Sequence, residues 1–452
     1  MAKKKKQIEE DLPQITLIEL EKGVGNIARD AYIDYGHYVN TSRHMAEVRD
    51  GCKISYRRLI YTAYTYGKNA GDIPTATLIP STAKYHPHST DGLIGTNAVL
   101  VHSGVFSGEG NFGSEGVDGV SMPPSSPRYT KNRLSDLYWE LIGDLMKEVP
   151  YVESPVGAPE PEFLPLPIPL VLYLKTAAQG LGVGLRADYP NFSPWSMYQA
   201  LKADNPMLLE PGVDLLMDKK NSELIKLWNT GKGRVIYSYK IERATSEDGR
   251  SQGIMFSGST DLFTIPLFKN KIFKKWIEDG KIYYENMTDI NGPKLFVGKV
   301  PGSKGITPED IEDLCRKCCF SSSTYNLNVT DGKSAFRIPL KDWLKFCLEN
   351  YYQLVTQVNA KRIEKTKFDI AVQEALPSIA SAILANPKAA DKEIIAATGV
   401  SAEVLEAVIS KPISWLRKNT DTTARIKSLK EKLKELKKFD PIHFTEEIIK
   451  QL

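Results

Sequence analysis

The chain has 452 residues, of which 42% are hydrophobic and 25% charged, and this composition excludes a disordered or collagen-like protein. Lysine and arginine number 59 against 55 aspartates and glutamates, and the net charge of +4 is too small to indicate a nucleic-acid binder by itself. Five cysteines, an odd number that falls mostly late in the chain, argue against a disulfide scaffold and favour a reducing compartment.

The N-terminal region begins with a charged stretch and continues with a helical pattern. Residues 1–11 contain four consecutive lysines and no apolar run, so we predict no signal peptide; the lysines either form a solvated tail or touch phosphates. Helical periodicity then extends over about residues 15–104. Within it, residues 54–64 interleave arginines with aromatic side chains, as in a helix that lies on DNA or on the surface of a helical bundle.

Two stretches rich in turn residues follow. Glycine, serine and proline dominate residues 104–130, which predicts a loop with short extended pieces. Six prolines fall between residues 155 and 169, where we expect a domain boundary or a stiff extended crossover.

The most apolar run, residues 163–174, is too short to span a bilayer and holds three prolines, so we do not expect a membrane protein.

The second half of the chain changes from strand-like to helical patterns near residue 340. Short aromatic and β-branched runs at 234–239, 253–256 and 294–298 predict an α+β region. After residue 340, apolar residues recur at helical spacing: Trp343, Cys347, Tyr351, Leu354 and Val358. A later set suits a short coiled-coil seam or an ordinary amphipathic helix: Ile426, Leu429, Leu433 and Leu436.

Two patterns suggest a metal or dinucleotide site but lack the context that such sites need. His86 and His88 have no nearby cysteines, and the CxxCC at 315–319 has no second ligand pair, so we predict no metal site on this chain. Residues 108–113 match GxGxxG, but the following segment is not expected to open a helix, as a Rossmann site requires. We expect these glycines to let a loop turn tightly or approach another surface.

A tyrosine beside an arginine follows this loop. Tyrosine is a poor nucleophile at neutral pH because its pKa is about 10. A nucleophilic tyrosine needs cations that stabilise the phenolate and the phosphate transition state, and Arg128 is placed to supply part of this for Tyr129.

Four motifs occur in a fixed order within 82 residues: RDGCKISYRR at 49–58, YHPH at 85–88, GEGNFGS at 108–114 and RYT at 128–130. The combination resembles the breakage–reunion subunit of type IIA DNA topoisomerases, as in the A subunit of DNA gyrase. The GLGVG at 180–184 is similar to the family's DNA-wedging hairpin. The resemblance covers about residue 29 to the C-terminus.

The resemblance implies a role for each matching residue. Tyr129 would form a transient 5′-phosphotyrosyl link, which opens a double-strand gate, and Leu181 would be the wedge that intercalates between bases. The implied catalytic residues are Tyr129, Arg128, Arg58, His86, Arg43 and Lys53. The implied DNA-binding residues are Arg57, His88, Leu181, Lys131 and Arg133.

The implied fold is a mixed α/β multidomain chain. Its expected parts are a charged extension (1–28), a winged-helix DNA-cleavage domain (29–160), an α+β tower domain (161–338) and a helical coiled-coil arm with a C-gate (339–452). We expect dimerisation near Tyr129 and near residues 412–416, with Trp415 and Leu416 as buried anchors.

The resemblance also implies partners and cofactors. We find no ATP site of the family's type and no convincing acidic cluster for Mg²⁺, so both cofactors are expected on a partner subunit. The expected assembly is a heterotetramer or larger, with two copies of this chain, acting on double-stranded DNA as an ATP-dependent type II topoisomerase. In length, the chain most resembles the medium subunit of bacteriophage topoisomerases, which would place it in the cytoplasm of a bacterial host.

Several positions depart from the family pattern, among them Ile54, Thr90 and Glu109. Asp91 and Gly95 occupy the positions at which family members contact quinolones, which predicts weak sensitivity to these drugs.

Two alternative functions are a tyrosine recombinase, which makes a 3′ link with a tyrosine near the end of its catalytic domain, and a non-catalytic winged-helix DNA-binding scaffold.

The positive charge is concentrated at the motifs. Residues 41–58 and 125–134 each carry a net charge of +3, which leaves −2 for the rest of the chain. This distribution predicts an electrostatic footprint for DNA around the motifs.

Overall fold

A computed structural model describes residues 23–88, 90–113, 123–175, 178–219, 222–258, 273–287, 294–304, 307–318, 320–411 and 422–452. The lysine-rich segment and the expected C-gate anchors Trp415 and Leu416 lie outside these residues. The described part of the chain mixes helices with several small sheets, as the sequence predicted.

The N-terminal region combines helices with short strands. The helices are α1 (Val24–Val39), α2 (Ile54–Thr65), α3 (Thr75–Thr82), α4 (Asp91–His102) and α5 (Asp136–Ile142). The strands are β1 (Ala46–Glu47), β2 (Ile73–Pro74), β3 (Phe106–Glu109), β4 (Lys131–Leu134), β5 (Tyr151–Glu153) and β6 (Pro159–Pro161). Helix α1 continues directly into a π-helical turn, Asn40–His44, and three of the strands form a small antiparallel sheet of order β2-β4-β3.

Helix α2 is a core helix rather than a surface helix. Leu59 and Ile60 are fully buried, and Tyr61 and Ala63 are nearly so. The surface-helix interpretation of residues 54–64 was therefore wrong, because Arg57 and Arg58 are buried against acidic partners instead of facing solvent. A DNA contact by this helix stays a prediction.

The proline-rich segment is an extended crossover through the core. Residues 163–170 are all buried, among them Leu164, Leu166, Ile168 and Leu170. The backbone N–H of Leu170 donates to the carbonyl oxygen of Asp50 at 3.0 Å. Of the two predictions for this segment, the extended crossover agrees with these contacts, and the domain boundary stays a prediction.

The described residues in the middle of the chain form two larger sheets and four helices. The strands are β7 (Gln179–Leu181), β8 (Arg186–Asp188), β9 (Leu216–Met217), β10 (Lys232–Ser238), β11 (Lys240–Thr245), β12 (Gln252–Ser257), β13 (Ile282–Asn286), β14 (Lys294–Lys299), β15 (Phe320–Asn326), β16 (Asn328–Thr330) and β17 (Ala335–Arg337). The helices are α6 (Pro194–Ala203), α7 (Ser222–Thr230), α8 (Lys274–Glu278) and α9 (Pro308–Cys318). The predicted strands at 234–239, 253–256 and 294–298 are confirmed as parts of β10, β12 and β14.

The sheets of this region connect to the N-terminal part of the chain. The two larger sheets have the orders β7-β8-β15-β10-β9 and β11-β12-β14-β13. A third sheet has the order β1-β16-β17, in which β1 pairs in parallel with β16. The N-terminal region and the middle region thus share one sheet.

The last part of the described chain is helical, as predicted. A 46-residue helix, α10 (Leu340–Ala385), buries the five residues from Trp343 to Val358 that shared the predicted face. The later helices are α11 (Asp391–Thr398), α12 (Ala402–Ile409), α13 (Thr422–Lys438) and α14 (Pro441–Gln451). Asp440 caps α14 by accepting from the backbone N–H of Ile442 at 2.9 Å, with proline at the first helical position.

Helix α13 packs antiparallel to α10. Lys430 pairs with Glu374 at 2.7 Å, and the Asn359 amide donates to the carbonyl oxygen of Leu436 at 3.1 Å. The four apolar residues that suggested a seam are half-buried along this contact. The helix pair is thus observed within one chain, and a longer coiled coil stays a prediction.

The buried side chains of the described residues form two separate cores. One runs from Met45 to Ile449 and is shared by the N-terminal region, the sheets and the first half of α10. The other lies at the far end of α10, against α11 and α12.

Among the described helices, α10 alone contains a stretch long and apolar enough to cross a membrane, a property that core helices of soluble proteins share.

Candidate functional site

Tyr129 ends a short 3-10 turn, Pro127–Tyr129, that leads into β4. Pro127 fits the first position of this turn, and the backbone N–H of Tyr129 donates to the carbonyl oxygen of Ser126 at 2.9 Å. The Tyr129 side chain is 65% exposed, and its hydroxyl has no hydrogen-bond partner among the described residues. The turn therefore holds the backbone while the phenol remains accessible.

Arg128 lies against the aromatic ring of Tyr129. Its guanidinium carbon is 4.7 Å from the ring centroid, a cation–π contact. In this arrangement Arg128 orients the ring, and its N–H groups remain available to an incoming anion beside the phenol.

A buried polar ladder holds the backbone next to Tyr129. The Thr130 hydroxyl donates to that of Thr75 at 2.9 Å, and Thr75 donates to the Asn132 side-chain oxygen at 3.2 Å. Asn132 in turn donates to Asn97 at 2.8 Å. All four side chains are at most 2% exposed. The sequence analysis did not predict this ladder. A signal that could have indicated it is the alternation of inward-facing and outward-facing residues from Thr130 into β4, in which Thr130 and Asn132 face inward.

The glycine-rich loop packs against the same turn. A Cβ on Gly110 would lie 2.7 Å from the carbonyl oxygen of Tyr129, and Gly110 adopts a φ of 105°. Gly108 belongs to the antiparallel strand β3, and no helix opens within the described residues 110–113. The expected close approach of the backbone is confirmed, and the rejection of a dinucleotide site stays a prediction.

A second cluster surrounds His86. Arg58 forms a bidentate ion pair with Glu160, with both distances 2.8 Å, and its remaining nitrogen lies 3.3 Å from His86 Nδ1. Arg58, Glu160 and His86 are all buried. Because arginine can only donate, Nδ1 of His86 must accept, which leaves the proton on Nε2. Glu160 is 102 residues from Arg58, and no sequence signal connected the two.

The His86 imidazole is neutral near neutral pH. Burial, followed by the charges of Arg58, His88 and Arg43, lowers the pKa of His86 to about 4. The His88 ring stands edge-on at 4.9 Å from it, and burial together with Arg43 lowers the pKa of His88 as well. Both rings are therefore neutral near neutral pH and lie beside exposed Arg43.

Arg43 and Lys53 flank this cluster in different ways. Arg43 is exposed at the end of the π-helical turn and has no ion-pair or hydrogen-bond partner among the described residues. Lys53 donates to the backbone carbonyl of Gln179, and burial lowers the pKa of its ammonium. Arg43 is thus the cation of this cluster best placed to meet a phosphate.

The structure argues against the predicted DNA contact by Arg57. Its side chain is buried, with Nε 2.9 Å from Asp50 and a terminal nitrogen 3.6 Å from Glu47. Asp50 also accepts from the backbone N–H groups of Cys52 and Leu164, at 2.7 and 2.9 Å. Arg57 therefore belongs to a buried network that joins α2 to the proline-rich crossover.

The remaining DNA-binding candidates lie on the surface. Lys131 is 3.9 Å from Glu109, and Arg133 is 2.8 Å from Asp72, both as exposed pairs of the kind that contribute little and exchange easily. Leu181 is 63% exposed at the end of β7. These three side chains are available to a ligand.

Tyr129 and the His86 cluster lie at opposite ends of helix α3. Thr75, at its start, bonds Thr130, whereas the backbone N–H of His86 donates to Thr82, at its end. At about 1.5 Å per residue, the helix separates them by roughly 10 Å. Within one chain, no described hydrogen bond joins the Tyr129 hydroxyl to Arg43, Arg58 or His86.

Comparison with known proteins decides the family. The family of the DNA gyrase/topoisomerase IV A subunits matches residues 43–452. The chain belongs to this family.

Similarity to individual family members is moderate. The chain is 31% identical to the DNA gyrase A subunit of Borrelia hermsii over 268 residues, which cover 52% of this chain and 31% of that protein. It is 25% identical to the DNA topoisomerase 4 A subunit of Staphylococcus aureus strain MRSA252 over 410 residues, which cover 82% of this chain and 47% of that protein. The chain thus spans less than half the length of these gyrase and topoisomerase IV proteins.

Proposed function

We propose that the chain is the DNA-cleaving and religating subunit of an ATP-dependent type IIA topoisomerase. The observation that carries this proposal is the exposed Tyr129, which a rigid turn presents beside Arg128 with its hydroxyl unpartnered among the described residues. An accessible phenol on a fixed backbone suits in-line attack on a phosphate.

The proposed reaction is a reversible transesterification. The Tyr129 oxygen attacks a DNA phosphorus and the bond to the 3′-oxygen breaks. The phenol loses its proton and the 3′-oxygen gains one, so a 5′-phosphotyrosyl bond replaces the phosphodiester bond. The reverse reaction reseals the strand without an external energy source.

Two copies of the chain complete the proposed site. Because α3 separates Tyr129 from the His86 cluster within one chain, we propose that a second copy supplies the cluster to the phosphate at Tyr129. Arg43 then offers a free cation and His86 a neutral Nε2–H donor to the phosphate oxygens, while Arg58 positions His86. The matching break on the other strand makes the double-strand gate.

The cofactors are assigned to a partner. No group of three or more histidine, cysteine, aspartate or glutamate side chains in the described part of the chain is arranged to hold a metal ion. We therefore derive no step through Mg²⁺ on this chain, and we propose that Mg²⁺ and ATP are bound by a partner subunit in a bacterial cytoplasm.

The domain organisation follows from this function. We propose that residues 29–160 form the winged-helix cleavage domain, 161–338 the tower and 339–452 the arm, with 1–28 as an extension. Helices α2–α4 beside the sheet β2-β4-β3, the sheets of the middle region and the α10–α13 pair support these assignments. The core shared across residue 160 makes the first two domains one packed body.

A covalent-adduct assay tests the proposal. The chain is mixed with the ATPase and metal-binding subunit from the same source, end-labelled duplex DNA and Mg²⁺, quenched with denaturant, and the adduct is mapped. We expect a 5′ link on Tyr129 that Tyr129→Phe abolishes, whereas Tyr32→Phe, at a tyrosine of similar exposure (63%), retains it. A 3′ link would support a recombinase, and no adduct under any condition would support a scaffold.

A further inference from the structure

The hairpin that carries Leu181 is held at its tip by one side chain. The amide of Asn40 donates to the carbonyl oxygen of Val183 at 2.9 Å, and its oxygen accepts from the Val183 N–H at 2.8 Å. Asn40 is 8% exposed and lies 143 residues from Val183. One side chain thus pairs with both backbone groups of a residue between β7 and β8, as a neighbouring strand would.

Glycines on both surfaces allow this close approach. A Cβ on Gly182 would lie 1.9 Å from the Asn40 side-chain oxygen, which is closer than any real contact. A Cβ on Gly36, in α1, would lie 3.0 Å from a methyl group of Val183. The tip is therefore seated against the end of α1 and the π-helical turn, with no room for larger residues at Gly182.

The same turn also contacts the base of the hairpin. A Cβ on Gly180 would lie 2.4 Å from the carbonyl oxygen of His44, and Lys53 donates to the carbonyl oxygen of Gln179. The π-helical turn that begins at Asn40 also carries exposed Arg43. Both ends of the hairpin are thus fixed to the segment that presents the free cation, while Leu181 is exposed to solvent.

We propose that Asn40 is a positioning residue that fixes exposed Leu181 relative to Arg43. It sets where Leu181 enters a duplex relative to the phosphate that Arg43 binds. This inference rests on the proposed function, because it assigns Leu181 and Arg43 to DNA. Without the Asn40 contacts, the hairpin tip loses its only described side-chain hydrogen bonds to α1 and its turn, and Leu181 loses its fixed direction.

Two measurements on the complex with its ATPase and metal-binding subunit test the inference. DNA bending is measured by energy transfer between dyes at the ends of a short duplex, in a Tyr129→Phe background that prevents cleavage. Cleavage positions are mapped on an end-labelled duplex with Tyr129 present. We expect Asn40→Ala to lower the bent fraction by about tenfold and to spread cleavage over neighbouring positions, because two hydrogen bonds that fix the wedge are lost.

Matched variants separate positioning from stability. Thr41→Ala is the control, because its hydroxyl bonds the α1 carbonyl of His37 at 2.9 Å and not the hairpin. Gly182→Ala should reproduce the Asn40→Ala effect, and the double variant should be no worse than Asn40→Ala, since the clash at Gly182 is with the Asn40 side chain. The thermal midpoint of each variant confirms folding.

The outcomes distinguish this inference from the proposed function. If wild type forms the Tyr129 adduct but folded Asn40→Ala and Gly182→Ala bend and cleave DNA as wild type does, the inference is wrong and the function stands. If wild type neither bends nor cleaves DNA, the proposed function fails and the inference fails with it.

Discussion

His86 shows how a buried ion pair sets the state of a neighbouring group. Glu160 balances the charge of Arg58, and the free Arg58 nitrogen fixes the His86 tautomer by donating to Nδ1. A protonated His86 would place a second buried cation beside Arg58, which burial disfavours. The histidine is thereby kept as a neutral donor through Nε2.

This state predicts a pH dependence of stability. The pKa of His86 is about 4 in the folded chain, against an ordinary histidine value of 6.5. The unfolded chain therefore binds more protons, and stability falls as the pH drops from about 6.5 towards 4. The loss has an upper limit of about 3–4 kcal/mol, at 1.36 kcal/mol per pKa unit.

Denaturant titrations at pH 7.5 and pH 5 measure this loss. His86→Gln, which keeps a neutral polar side chain, should lose less stability than wild type between these two values. An equal loss in both proteins would mean that His86 is already protonated in the folded state at pH 5.

Two glutamates two residues apart provide a direct comparison of buried and exposed ion pairs. Glu160→Ala leaves the buried guanidinium of Arg58 unpaired and should cost about 3–5 kcal/mol of unfolding free energy. Glu162→Ala removes a half-exposed partner 3.0 Å from Arg49, which keeps Glu47, and should cost about 1 kcal/mol or less. Equal losses in urea unfolding would contradict the assignment.

The ladder from Thr130 to Asn97 predicts an effect on cleavage rate. Asn97→Ala leaves Asn132 with an unsatisfied buried amide, which should cost about 1–3 kcal/mol and shift the backbone beside Tyr129. We expect cleavage to slow by about tenfold or more, because small displacements of a nucleophile are costly. DNA affinity should not change. Thr96→Ala, whose hydroxyl bonds only the carbonyl of Gly92 in its own helix, is the control and should cleave at the wild-type rate.

At the level of elements, the long helix α10 joins two bodies that are packed independently. Its first half is anchored in the main core, where the Trp343 indole donates to the carbonyl oxygen of Val48 at 2.8 Å. Its far end packs in the second core against α11 and α12. Such an arrangement allows the far end of α10, with α11 and α12, to open without unfolding the main body.

Substitutions in the second core test this independence. Leu405→Ala should cost about 2–5 kcal/mol, because Leu405 is 2% exposed. Hydrogen exchange should accelerate in residues 372–408 and remain unchanged around Trp343. Ile409→Ala, at a position 48% exposed, should change exchange little. Faster exchange throughout the molecule after Leu405→Ala would show one cooperative unit instead.

For the whole molecule, folding redistributes the charge that the sequence concentrates at the motifs. The surplus in residues 41–58 includes Arg49 and Arg58, which pair with Glu162 and Glu160. Arg57 is neutralised by Asp50. The exposed positive charge of this region is mainly Arg43, so the electrostatic footprint is smaller than the local count suggested.

The proposed assignment of Mg²⁺ to a partner subunit predicts that the chain by itself does not cleave DNA. With Mg²⁺ and duplex DNA alone, it should form no covalent adduct, because we assign the metal to the partner subunit. Adding the ATPase and metal-binding subunit should produce adduct, and omitting Mg²⁺ should prevent it. Adduct formation by the isolated chain would contradict the assignment of the metal to a partner.

The sequence by itself determined the division into a mixed region and a helical last part, the buried face of α10 and the motifs that resemble the family. These properties are encoded locally, by residues a few positions apart, or by motifs that are read directly. The tertiary structure alone decided which cations remain free, because Glu160 and Asp50 reach Arg58 and Arg57 only after the chain has folded. It also decided that Asn40 holds the hairpin at Val183, since a hydrogen bond across 143 residues depends on how two elements pack and leaves no periodic signal in the sequence.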